Sequence, residues 1–163
     1  MAKKKKQKIS YLPLLSAVLG LVSVVMIFLA AVNYSVVKGV TDLENVVTYS
    51  GLQVAFGFTE GDFISVKVLE FSIMNLLPYV LALGGVVVSV FCYLAKGSKL
   101  FAFISAGAFI VSAVFFFLSP SFVVLPKLTA LVKENFSLGI GSIIGGALSA
   151  LAGLVSLAQV VKK

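Results

Sequence analysis

Hydrophobic positions fall in four long, unbroken blocks. Residues Ile9–Val32, Phe71–Ala95, Leu100–Leu118 and Leu138–Val161 contain no Asp, Glu, Lys or Arg, and each exceeds the roughly 18 residues expected of a membrane-spanning helix. In lipid every backbone N–H and C=O must be satisfied within the structure, so the blocks predict four transmembrane α-helices. The first block follows a basic run in the manner of a signal peptide. It is longer than the usual hydrophobic region of about 7–15 residues, and Leu29-Ala30-Ala31 is a poor cleavage site, so it is read as a span.

The polar segments between blocks carry patterns of their own. In the first, residues 33–70, Leu52, Val54, Phe56 and Phe58 alternate with Gln53, Ala55, Gly57 and Thr59, the two-residue period of a strand. Ile64, Val66 and Val68 repeat the alternation after Glu60-Gly61-Asp62. A hairpin of Leu52–Phe58 with Phe63–Leu69 is predicted, with Gly51 opening it and Gly61 in its turn, and Val46–Tyr49 as a third strand. In the second, residues 119–137, Leu128, Leu131, Val132 and Phe136 share a face after Pro126, which predicts a short amphipathic helix. The fold class is thus an all-α membrane protein: a four-transmembrane-helix bundle in one domain, with a small extracellular hairpin or sheet in the first outer loop.

Small residues mark one helix face. Gly141, Gly145, Ser149 and Gly153 recur every four residues in the last block, a stripe that lets backbones approach closely and points to helix packing within the chain or, alternatively, to a homo-oligomer through the fourth helix. Gly84-Gly85 offers a second close-contact point.

Composition agrees with the pattern: 60% of residues are hydrophobic and 12% charged, against about 25% charged in soluble domains. Charge sets the orientation. The N-terminal tail (Lys3, Lys4, Lys5, Lys6, Lys8), the turn with Lys96 and Lys99, and Lys162-Lys163 hold nine lysines and no acid. The other face holds Lys38, Lys67, Lys127 and Lys133 with all six acids, Asp42, Glu44, Glu60, Asp62, Glu70 and Glu134. The positive-inside rule places both termini in the cytoplasm, at a plasma membrane. The basic tail lacks interleaved aromatics, so its partner is membrane lipid and not nucleic acid. All 13 basic residues are Lys, with no Arg, His or Trp, a usage that suggests a low-GC bacterial genome.

The layout of four spans, a large first outer loop with a small sheet, a tight inner turn and a shorter second outer loop resembles the claudin arrangement. Gly51-Leu52 stands where that family has Gly-Leu-Trp, but Gln53 replaces the Trp and the paired loop cysteines are missing. The stretch Tyr49-Ser50-Gly51-Leu52-Gln53-Val54-Ala55-Phe56-Gly57 is similar to small four-span membrane proteins of low-GC Gram-positive bacteria. These resemblances imply a fold and a membrane location, and no activity.

Catalytic chemistry has little to draw on. Without His, Arg or a second Cys beside Cys92, the usual zinc ligands and general base are missing, so no catalytic, metal or cofactor residues are expected and the chain is read as a non-enzyme. Asp42 with Glu44, and Glu60 with Asp62, read as solvated loop charges. The favoured class is a structural or interaction protein that offers its outer loop to a protein partner. The alternative, a subunit of a small transporter or channel, ordinarily needs ionisable groups within the spans, and these have none.

Overall fold

The computed structural model describes residues 11–36, 45–61, 65–127 and 131–161. The basic tail Lys3, Lys4, Lys5, Lys6 and Lys8, together with Lys38, Asp42, Glu44, Asp62, Lys162 and Lys163, lies outside the described residues. Four apolar helices pack together: α1 (Leu12–Val25), α3 (Ile73–Leu94), α4 (Lys99–Phe117) and α5 (Ile140–Val161). A six-residue helix, α2 (Gly51–Phe56), sits between α1 and α3 in sequence. Three of them, of 22, 19 and 22 residues, are long and apolar enough to cross a membrane. By helix length and composition this is a multi-pass membrane protein.

The first helix is shorter than its apolar block. After Val25 it tightens into a 3₁₀ turn, Met26–Phe28, and the chain leaves as strand β1 (Ala30–Val36). At 1.5 Å per residue the apolar helix Leu12–Phe28 spans roughly 25 Å, less than the roughly 30 Å hydrocarbon layer. The end of the block therefore belongs to a sheet. Val32 and Tyr34 turn inward from β1 and are buried.

That sheet is three-stranded and antiparallel, in the order β2-β1-β5, where β2 is Asn45–Ser50 and β5 is Phe136–Leu138. Asn33 stands opposite Thr48 on one side and Ser137 on the other. A second, two-stranded ladder pairs β3 (Phe58–Glu60) with β4 (Val66–Leu69).

Two expectations are corrected. Gly51, Leu52, Val54 and Phe56, read as a strand, form helix α2, and among the described residues the hairpin keeps its Phe58–Glu60 and Val66–Leu69 portions, Phe63 and Ile64 lying outside the described residues. The reason is local. Ser50 Oγ accepts from the Gln53 N–H at 3.3 Å, and the Ser50 N–H donates to Gln53 Oε1 at 2.8 Å, a reciprocal capping box that satisfies two helix-start donors and outweighs the alternation. In the second loop, no α-helix forms among the described residues between Ser119 and Leu138. A 3₁₀ turn, Lys133–Asn135, leads straight into β5, and Phe136 lies in the sheet's core with Leu131 packed against it.

Two cores of different chemistry result. Above the helices Ala31, Val32, Tyr34, Tyr49, Val54, Leu69, Val123 and Phe136 form a cap core, with the Tyr34 and Phe136 rings 4.8 Å apart. Between the helices the core is built mainly of serine, glycine and alanine, with Phe109, Phe116, Tyr79 and Pro78 among its larger buried side chains.

Candidate functional site

The helix core has a repeat. Ser105, Ser112 and Ser119 on α4 and its exit, Ser142, Ser149 and Ser156 on α5, and Ser16 and Ser23 on α1 are each seven residues apart, and all are buried. A seven-residue period keeps one side of each helix facing its neighbours in a bundle, so these hydroxyls meet in layers. Nearest the chain ends, Ser16 Oγ donates to Ser89 Oγ at 3.1 Å, Ser89 bonds Ser105, and Ser105 lies 3.3 Å from Ser156. In the middle layer Ser149 lies 2.6 Å from Ser23 and 3.4 Å from Ser112. At the sheet end Ser119 and Ser142 are 2.9 Å apart. Several also donate to helix carbonyls: Ser23 to Gly145 at 2.9 Å and Ser112 to Pro78 at 2.7 Å.

Phenylalanine separates these polar layers. The fully buried Phe109 ring fills the room that a Cβ on Gly20 or Gly85 would take. The Phe116 ring packs on Gly145, where a Cβ would stand 2.9 Å from it, and meets Tyr79 edge-on at 4.9 Å. The seam is therefore a row of hydroxyl layers closed between by aromatic ones. At its far end Gln159 Nε2 donates to Cys92 Sγ at 3.2 Å, and that thiol donates to Ser98 O at 3.2 Å.

The four-residue stripe of α5 lies within this arrangement. Gly145 and Gly153 contact Phe116 and Ile110 of α4, Ser149 joins α1 to α4, and Gly141 meets the backbone of Leu29 and Ala30. Gly84 faces open space, whereas its neighbour Gly85 is covered by Phe109.

The cap is knit to the bundle by close contacts and backbone bonds. The Gly51 Cα sits so close to the Tyr79 hydroxyl that a side chain there would collide with it, and a Cβ would also stand 2.9 Å from the Ile27 backbone. The Ser72 N–H donates to Ala55 O at 2.9 Å, joining α2 to the start of α3. The Gly139 N–H donates to Ala31 O at 2.9 Å, so β1 reaches the start of α5.

On the cap surface Leu52 and Phe56 of α2 are exposed, as are Gly61 and Val66. The β2 strand forms one side of the sheet, and its Val46 and Val47 remain 49% and 43% exposed. Burial pushes the Tyr49 phenol above its ordinary range, and the Glu60 carboxylate adds to the effect. Among the described residues no three His, Cys, Asp or Glu side chains gather as a metal cluster would require.

The sequence reading missed two features. Strand β1 was hidden in an apolar block, although Val32, Tyr34 and Val36 alternate with Asn33 and Ser35. The serine seam is present in the sequence as a seven-residue spacing in three helices, overlaid in α5 by the four-residue spacing of its glycines. No protein-family model matches the chain, and no curated protein matches it.

Proposed function

We propose that this chain is a non-catalytic membrane protein that presents its cap to a protein partner, with the four helices as the mount and both termini in the cytoplasm. The observation that carries the reading is the free side of the three-stranded sheet. Among the described residues strand β2 pairs with β1 alone; it is six residues long and carries exposed Val46 and Val47. Such an edge invites strand addition unless it is charged, kinked or covered. A rigid, helix-anchored cap with an apolar edge suits recognition of an extended segment of another protein or of a second copy. The lysine asymmetry supports a cap on the external face, and the basic tail supports contact with anionic lipid. The claudin-like layout belongs to this reading as well: strands from both outer loops join in one sheet over four helices.

Val47→Lys tests it. A charge on this exposed edge position should leave folding intact and abolish co-purification of the partner after mild detergent extraction. Retention of the partner by V47K would sink the edge-docking reading. Removing Val46 to Lys67 altogether would be a poor test, because Tyr49, Val54 and Gly51 belong to the cap core and its seat on Tyr79.

A second reading, a subunit of a small transporter or channel, draws support from the serine seam, which lines the axis with hydroxyls. The buried Phe109 and Phe116 weigh against it, since each closes the axis between polar layers. Ion flux in liposomes that rises in Phe109→Ala or Phe116→Ala would favour this second reading.

A further inference from the structure

We propose that the groove between the start of α3 and the 3₁₀ turn Ser119–Phe122 holds an anionic phospholipid of the cap-side leaflet, its phosphate on Lys133 and an acyl chain against α3. The groove is open and has about 340 Å³ of room, within the roughly 300–1,000 Å³ typical of small-ligand sites. Phe71, Ile73, Met74 and Phe122 make its walls largely apolar, and Lys133 is the charged residue among those that line it. The Lys133 ammonium has no ion pair among the described residues. Glu70 and Glu134 adjoin lining residues in sequence, but neither lines the groove or pairs with Lys133. The exposed Ser121 hydroxyl, also on the wall, makes no bond among the described residues and leaves a second donor for a phosphate oxygen.

Depth and shape select the occupant. Helix α3 has 22 residues, and at 1.5 Å per residue it spans about 33 Å against a hydrocarbon layer of roughly 30 Å. Its first residues, Ile73 and Met74, therefore stand at the boundary between acyl chains and headgroups. Lys133 lines the same groove, so its cation is offered at the level of the phosphates, where a lysine stem can rest on apolar surface while its head stays in the polar layer. Below the groove the apolar surface continues: Ile73, Val80 and Val87, seven residues apart, are all exposed on α3. A free phosphate would use the lysine and leave these walls bare. A neutral lipid would cover the walls and leave the cation unpaired. A protein segment following the same line would carry its backbone N–H and C=O groups into hydrocarbon. An anionic phospholipid meets both the charge and the apolar wall. This inference holds whichever side the cap faces and whatever the β2 edge binds.

The chain has no Trp, so a single introduced one reports on one place. Ile73→Trp puts it at an exposed position on the groove wall, and Phe28→Trp puts it at an exposed position at the cap end of the first helix, outside the groove. Each full-length variant is reconstituted in vesicles of phosphatidylcholine and phosphatidylglycerol, with one or the other lipid dibrominated to quench the tryptophan emission. In Ile73→Trp phosphatidylglycerol should be preferred about fivefold, the equivalent of about 1 kcal/mol for one lysine beside an anionic lipid. Phe28→Trp should show no preference. Lys133→Gln in the Ile73→Trp background should erase the preference, and Lys133→Arg should keep it. Equal quenching by the two lipids in Ile73→Trp, a preference that survives Lys133→Gln, or the same preference in Phe28→Trp would overturn the proposal. Quenching by neither lipid would show the groove to be covered by protein, and would overturn it as well.

Discussion

At the scale of single residues, the tightest point is Gly51, where a methyl group would meet both the Tyr79 hydroxyl and the Ile27 backbone. Gly51→Ala should lower stability by about 1–3 kcal/mol, the usual cost of overpacking, while Gly84→Ala, in open space, should be neutral or slightly stabilising. Thermal unfolding in detergent separates the two, and equal melting temperatures would show that the cap is not seated on Tyr79. Tyr49 makes a prediction about pH. Its phenol is raised above the ordinary 10.0 in the folded cap by burial and by Glu60. Folding therefore favours the protonated form: its contribution is whole below pH 10.0 and is lost as pH climbs through the higher folded value. Tyr49→Phe should flatten the alkaline loss of cap structure, followed by near-ultraviolet circular dichroism. An unchanged alkaline limb would assign the loss to other groups.

At the scale of elements, the hydroxyl layers are small contributions repeated. Ser149→Ala removes bonds to Ser23 and Ser112 and should cost about 0.6 kcal/mol, the average for such bonds between membrane helices, and at most about 1.7. Ser149→Leu, which forces the helices apart, should cost more. A double-mutant cycle of Ser23→Ala with Ser149→Ala measures the coupling directly, and strictly additive losses would show the 2.6 Å contact to be idle. The four helices were legible because long apolar blocks admit no other solution in lipid. Their facing was only half legible: Gly145 and Gly153 marked α5, but a hydroxyl reads as a scattered polar residue until its period is compared across helices. The strand at Leu52–Phe58 was misread because alternation and a Ser-x-x-Gln start compete over the same residues, and Ser50 with Gln53 decides for the helix. Strand β1 escaped because a strand buried on its inner face and continuous with an apolar helix has the composition of a longer helix.

At the scale of the whole molecule, the outstanding quantity is orientation. In a Cys92→Ser background, cysteine at the exposed Lys67 should react with a membrane-impermeant thiol reagent in intact cells, and cysteine at the exposed Lys99 should resist it. The reverse pattern would turn the molecule over. These positions are better reporters than Gly61 or Gly97, whose φ values of 116° and 86° would strain any side chain.

The pairing of β1 with β5 has a consequence for how the chain is made. Asn33 and Ser137 lie opposite each other in the sheet, so the ribosome must translate about a hundred residues, the helices α3 and α4 among them, between the two partners. Until then β1 holds one side of its backbone unpaired, an open edge on which another chain could pair. Because β5 runs directly into α5 through Gly139, closure of the sheet coincides with arrival of the last helix. A nascent chain thus carries its own mark of incompleteness, which disappears only when the final span is delivered.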